Sequence, residues 1–536
     1  MKGGIKQKVL DWFGENCGIE CQEFDLSSKK VFFFYVSCMV NKEIVLSGLL
    51  LALRESEFKK GSILSQLQKD IFASVKVKSV QEKAQVQEEI FNGAVVIAVE
   101  GEKGFLSIPS PGYSKRAIAE PPSESVLRGP REGFIEDIET NLGLVRKRLK
   151  TPNLAVKNHV VGRRTQTKIA IVYLDDVASK NVVKEIEKRI EEFDIDGVVD
   201  SYYIQEMLGS KEERFFKRIG TTEKPDVVVA KVLEGRVAII VDGSPTVLTA
   251  PYVYFEDLQS PNDYYDIPAR STIVRILRLM GLLLAIMLPG IYVALQSYQY
   301  RVLPINFLIS LLNSIEGLSF PPILEILFVL FLFEILGEAS VRMPKQLGMA
   351  LSIIGALILG NTAVQAGIIT PPSIVVVAIS GITIYIIPNQ SSELSVIRTV
   401  MTVLGGISGF YGLFIGFFVL LTYLVSIENF GAPYFAPYAP NVATDMKDSF
   451  IKQPLSYMKY RPKSFKTKNS IRLVNDKNDK SKNQNTNKKA VNGLWKKNSQ
   501  NAKQWFFYSF VLLQIRLKGF QVLLLQTWAG MVGLWL

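Results

Sequence analysis

The sequence predicts a cytoplasmic N-terminal region of α+β or α/β type, built as two small subdomains, followed by a polytopic α-helical transmembrane domain. Three observations carry this. Mean hydropathy is +0.19 although 21% of the 536 residues are charged, which fits a chain divided into a polar part and a membrane part. Short β-branched runs alternate with polar helical patterns up to about residue 265. Long apolar runs punctuated by glycine and proline follow.

Residues 1–125 form the first subdomain. Residues 30–39 (KVFFFYVSCM) and 93–99 (GAVVIAV) read as buried strands, and residues 41–58 as an amphipathic helix. Pro109, Pro111, Pro121 and Pro122 then break regular structure. In the connector, residues 126–165, a turn at Arg128-Gly129-Pro130 leads into a helix. Its residues Phe134, Ile138, Leu142, Val145 and Leu149 share one apolar face. The second subdomain, residues 166–265, opens with a strand at 168–176 and a helix at 179–193 N-capped by Ser179. Strands are expected at 197–200, 225–232 and 236–241, the last two around a Glu234-Gly235 turn. Asp175 and Asp176 read as a strand-to-helix turn rather than a magnesium pocket, because no glycine-rich phosphate loop accompanies them.

The membrane domain, residues 268–426, offers runs at 276–297, 323–340, 347–368 and 396–426, and a shorter one at 373–387 bracketed by prolines. A helix needs about 20 apolar residues to cross a hydrocarbon core of about 30 Å. No signal peptide precedes the first polar residues, so the N-terminus is expected in the cytoplasm. Residues 442–503 carry 16 Lys/Arg and 4 Asp/Glu, equal to the whole chain's excess of +12. The basicity therefore belongs to one tail, not to a nucleic-acid-binding surface. Positive segments prefer the cytoplasm, so crossings should be even in number. That makes 373–387 re-entrant, leaves four spans, and puts Arg342 and Lys345 at the inner interface and Arg398 outside. Residues 427–503 read as a largely disordered tail that attracts anionic headgroups. The apolar segment 504–536 has no clear place in this scheme.

Three cysteines (Cys17, Cys21, Cys38) and one histidine (His159) provide neither a disulfide framework nor a zinc site. No nucleotide, metalloprotease or nucleophile motif is present, so neither an enzyme nor a cofactor is expected. The chemistry-bearing residues lie in the membrane runs. Glu334, Glu338 and Arg342 recur every four residues on one helix face. They read either as an internal ion ladder, with Glu334 satisfied by a neighbouring helix, or as a water-exposed, cation-attracting stripe. Asn361 and Gln365 read as interhelical hydrogen-bonding groups or pore lining. Gly355 and Gly360, and Gly405, Gly409, Gly412 and Gly416, form small-residue faces for helix packing or oligomerisation.

The stretches LRGPREGFIEDIETNLGLVRKRL, VDGSPTVLTAP, SPNDYYDIP, FEILGEASVRMPK, GNTAVQAGIITPPS and NFGAPYFAPYAP, in order across residues 108–461, resemble the A subunit of GerA-type spore germinant receptors. The resemblance implies a location in the inner membrane of the bacterial endospore. It also implies assembly with a transporter-like B subunit and a lipoprotein C subunit. A subunits of this kind are expected to self-associate into a ring whose channel releases monovalent cations after nutrient binds, mainly at the B subunit. Residues 505–536 match nothing expected there. The alternatives are a non-conducting signalling scaffold and a paralogue devoted to dipicolinate release. A secondary transporter is disfavoured because no inverted hydrophobic halves are visible.

Overall fold

The computed structural model describes residues 5–13, 17–26, 29–41, 62–68, 77–110, 112, 120–121, 123–126, 128–209, 215–315, 320–342, 355, 360 and 362–473. The helix expected at 41–58, most of the run 347–368, and the segment 504–536 fall outside them.

In the first subdomain, β1 (Ile19–Leu26), β2 (Lys29–Val36), β3 (Lys78–Val80), β4 (Ala94–Val99) and β5 (Phe105–Pro109) form an antiparallel sheet ordered β1-β2-β4-β5-β3. All six residues of β4 are buried because both faces of the sheet are covered. Val95, Ile97 and Val99 pack with Phe33 and Leu67, whereas Val96 and Ala98 meet Val86 and Ile90 of α1 (Lys83–Phe91). A strand buried on both faces carries no polar alternation, hence the unbroken AVVIAV.

The second subdomain begins with α2 (Ile138–Arg148), whose N-cap Asp137 accepts from the Thr140 N–H at 2.8 Å. Its sheet contains β6 (Leu154–Val161), β7 (Thr167–Leu174), β8 (Gly220–Thr222), β9 (Val237–Val241) and β10 (Val247–Ala250), ordered β6-β7-β9-β10-β8. The helices α3 (Lys180–Glu191), α4 (Ser201–Leu208) and α5 (Pro225–Leu233) cover it.

The two sheets have the same strand order, and the repeat extends to sequence. EIFNGAVVIAVEG, residues 89–101, aligns without gaps with KVLEGRVAIIVDG, residues 231–243. Gly93 and Gly235 have φ +84° and +93°, and Gly101 and Gly243 have +81° and +83°. Each copy therefore ends its helix, enters its central strand and turns into the next strand with glycine in the same left-handed conformation.

Several expected elements differ. Residues 225–232 form α5, not a strand: Pro225 starts the helix, and Pro225, Val228 and Val232 bury one side. Local β-propensity loses here to that periodicity. Residues 197–200 are irregular. β6 pairs with β7 along its whole length, so the second sheet starts at Leu154 and a boundary at 166 cuts a hairpin. Phe134 precedes α2, although all five residues of the expected apolar face are buried.

The remaining helices are α6 (Pro268–Ser297), α7 (Ile305–Ile315), α8 (Pro322–Arg342), α9 (Pro371–Ile384) and α10 (Ser391–Ser426). Among the described residues, α6 and the α10 segment are long and apolar enough to cross a membrane. α10 is not one rod. Gly409 has φ +61° and ψ −143°, and the chain reverses there. A Cβ on Gly412 would lie 2.3 Å from the Leu404 carbonyl oxygen, and one on Gly416 2.5 Å from Leu404 Cδ1. Residues so far apart in sequence meet only if the two halves of α10 fold back on each other. Both ends agree: Gln390 donates to Asp257 of the second subdomain at 2.6 Å, and Tyr423 meets Phe216 there. At the far end, Tyr298 donates to the Ile407 carbonyl at 2.7 Å.

α9 packs along α6. Ser373 donates to Tyr292 at 3.4 Å and Ser380 to the Ala285 carbonyl at 2.7 Å, while Ile386 reaches Gly281. α9 thus runs antiparallel to α6 from its far end back toward the subdomains. Arg398, near the start of α10, therefore lies toward the end of the bundle that meets the second subdomain.

Candidate functional site

Two places are candidates for a functional site: the junction between the subdomains and the helices, and the polar groups within the bundle.

The junction grows from SPNDYYDIP. Ser260 and Asp263 form a capping box, which fixes Asp263 at 3% exposure. Its carboxylate accepts from Arg275 Nε at 3.1 Å and from Arg278 Nη1 at 2.7 Å. Arg275, fully buried, also donates to Asp448 at 2.9 Å, far beyond the last helix. Lys452 Nζ donates to the Asp263 carbonyl. Burial works to raise the Asp263 carboxyl, but the two guanidiniums and the Ser260 N–H hold it below its ordinary value.

The chain after α10 straps back over the second subdomain. Tyr434 donates to the Lys217 carbonyl at 2.8 Å, and Arg461 Nε to that of Leu233 at 2.6 Å. The Lys468 N–H reaches Val177 at 2.9 Å. Arg236 stacks on Phe465, 4.3 Å from its ring centre. This corrects the expectation of a largely disordered tail from residue 427. Residues 427–473 are ordered because their cations find backbone carbonyls and Phe465 and Tyr434 find apolar cover; Phe465 is 4% exposed.

Beneath the strap, Glu256 pairs with Lys231 and Arg236. Burial alone would raise this carboxyl, but the two cations lower it to about 2. A depressed carboxyl stabilises the fold fully above its unfolded value and loses that contribution as pH falls through the folded value. Acid is therefore expected to remove on the order of 3 kcal/mol between about pH 4.5 and about pH 2. Denaturant unfolding of wild type and Glu256→Gln checks this: the variant should lose the corresponding part of the pH dependence.

Within the bundle, Arg342 Nε donates to Glu338 at 2.8 Å, and both side chains are exposed. Glu334 accepts from Ser395 at 2.8 Å and from Arg398 at 3.2 Å, both on α10. Arg398 has 4% side-chain exposure, but Glu334 has 60%. Phe331, Ile335, Glu338 and Arg342 continue the exposed side of α8. Gln365 is exposed near the start of α9 and is not brought to these carboxylates by any hydrogen bond among the described residues. Asn361 and Lys345 lie outside the described residues.

Five of these six glycines make close contacts or a turn within the chain. A Cβ on Gly405 would be 2.5 Å from the Gly290 carbonyl oxygen of α6, and one on Gly355 would be 3.2 Å from Leu336 of α8. Gly409 makes the reversal, Gly412 and Gly416 close the hairpin, and Gly360 has open space around it.

Glu325 was not singled out from sequence. It is 1% exposed and accepts from the Thr370 N–H at 2.6 Å and hydroxyl at 2.8 Å, tying α8 to the start of α9. The available signal was Thr370-Pro371-Pro372, an N-cap followed by prolines that leaves a helix end needing an acceptor.

The model described as Bacillus/Clostridium GerA spore germination protein matches residues 7–464. Spore germination protein KA of Bacillus subtilis is 33% identical over 82% of this chain and 82% of its own. Spore germination protein GerLA of Bacillus cereus is 31% identical over 87% of this chain and 96% of its own. The crystal structure of the N-terminal domain of the A subunit of the Bacillus megaterium spore germinant receptor GerK3 is 27% identical, covering 46% of this chain and 94% of that one with a TM-score of 0.37. The long apolar segments of α6 and α10 are consistent with a membrane location. The chain belongs to the GerA spore germination protein family.

Proposed function

We propose that this chain is the membrane A subunit of a spore germinant receptor, lying in the inner membrane of the endospore. In this reading it assembles into a ring with copies of itself, joins B and C subunits, and gates monovalent cation flow when nutrient binds. The observation that carries it is the exposed acidic side of α8. Glu334 and Glu338 have 60% and 66% side-chain exposure on a helix whose residues 326–333 are all apolar. Carboxylates facing acyl chains are costly, about 2.5–3.5 kcal/mol each on insertion scales, so this side belongs against water or a neighbouring subunit.

Among the described residues, α9 and the two halves of α10 each run between the subdomain end of the bundle and its far end, which supports reading 373–387 and both halves of 396–426 as crossings. In this reading the subdomains and strap lie together in the cytoplasm, and the charge bias is obeyed at Arg398. The strap and the Asp263–Arg275–Asp448 node join the start of α6 and the chain after α10 to the second subdomain, a route for a two-state change in packing.

A non-conducting scaffold is the second reading, favoured by the ion pairs that Glu334 and Glu338 already make with Arg398 and Arg342. Potassium release from spores carrying Glu334→Gln with Glu338→Gln, with subunit level checked by immunoblot, separates them. The channel reading expects normal subunit level with release slowed at least severalfold or altered in selectivity. Unchanged release would favour the scaffold.

A further inference from the structure

At the cytoplasmic end of α6, a cavity of about 150 Å³ opens between the Arg128-Gly129-Pro130 turn and the helix start, lined by Arg128, Asp266, Arg270, Val274 and Arg278. The turn is seated by contact: Gly129 has φ +110°, and a Cβ there would be 2.6 Å from the Tyr265 ring. Arg128 is thereby held beside the point where the chain meets the bilayer.

The charges around the cavity do not balance. Among the described residues, Arg128, Arg270, Arg275, Arg278 and Lys452 stand beside the three carboxylates of Asp263, Asp266 and Asp448. Asp263 is occupied by Arg275 and Arg278. Asp266 alone serves both Arg270, at 3.2 Å, and Arg128, at 3.9 Å, and these two remain 67% and 72% exposed.

Below Arg270 runs an apolar row. Ile273, Leu277, Met280 and Leu284 follow at steps of three or four, with 60%, 59%, 51% and 37% exposure. From Arg270 to Leu284 the row covers about 21 Å at 1.5 Å per residue, more than one leaflet of about 15 Å.

We propose that Arg128 and Arg270 bind the phosphate of an anionic phospholipid, whose acyl chains lie along the Ile273–Leu284 row of α6. The site rests on the membrane reading above and is separate from the basic tail. A soluble phosphate would use the arginines but leave the row uncovered; a phospholipid satisfies both, with its charge at the right end.

The test uses the full-length protein in phosphatidylcholine nanodiscs doped with a photoreactive phosphatidylglycerol. Cross-linking to α6 peptides is expected in wild type, and to fall roughly tenfold or more in Arg128→Gln with Arg270→Gln. It should persist in Lys488→Gln with Lys489→Gln and, largely, in Arg270→Lys. Arg128→Gln alone changes only an exposed turn residue and guards against misfolding; it should give a partial loss. Labelling of α6 that ignores the arginines, displacement of the lipid by inorganic phosphate, or a cross-link from the row to protein instead of lipid would overturn the assignment. Failure to enter pure phosphatidylcholine discs would instead count against the membrane reading.

Discussion

Arg275→Met is expected to destabilise the protein by about 3–5 kcal/mol, because it leaves carboxylates desolvated without their shared partner. Arg275 is fully buried and joins Asp263, 3% exposed, to Asp448 on the strap. Arg278 continues to serve Asp263, so the larger loss falls on Asp448 and the docking of residues 448–452. Arg275→Lys keeps the charge but cannot span both carboxylates, and should lie between. Thermal unfolding in detergent, with limited proteolysis of the strap, provides the check. The strap should become the first segment cut; a stable variant with a protected strap would mean that the node holds nothing together.

Gly405→Leu is the second large effect. The Cβ of any residue there meets the Gly290 carbonyl oxygen at 2.5 Å, and a Cβ on Gly290 would in turn lie 2.8 Å from the Met401 carbonyl oxygen. The obstacle is backbone on both sides, which no rotamer relieves. Even alanine should cost about 1–3 kcal/mol, and leucine more, by prising α6 from α10. Gly381→Ala is the contrast: its nearest neighbour would be Phe333 at 3.8 Å, an ordinary contact. That change should be neutral or slightly stabilising, since alanine favours helix by about 1 kcal/mol. Detergent thermostability and membrane abundance measure both; equal behaviour of the two variants would refute the close crossing.

The parts of the fold legible in sequence were those governed by local periodicity. The strands around Phe33 and Val96 are apolar because both sheet faces are covered. The face running from Phe134 to Leu149 was readable at helical spacing. What local pattern could not reveal depends on distant partners or single backbone angles. Residues 225–232 look like a strand until the gapless match of 231–243 to 89–101, a helix leading into a strand, is noticed. The run 396–426 looks like one long span, since only the left-handed conformation of Gly409 turns it into a hairpin. The segment around Arg461 and Phe465 looks disordered because its carbonyl partners lie some two hundred or more positions earlier. In the bundle, the Glu338–Arg342 pair follows from spacing four. Arg398 as the partner of Glu334 does not, because it requires knowing that α10 starts on the subdomain side.

A conducting role for the Glu334–Glu338 side of α8 requires that it meet water inside the membrane. Single cysteines at positions 331, 335 and 338, in a chain with Cys17, Cys21 and Cys38 replaced by serine, can be tested with a membrane-impermeant, charged thiol reagent; Ile326 and Val329, both fully buried, serve as controls. With the receptor reconstituted in bilayers, the account predicts labelling at all three row positions and none at the controls. Protection of positions 331, 335 and 338 from the aqueous reagent, with and without germinant, would contradict it.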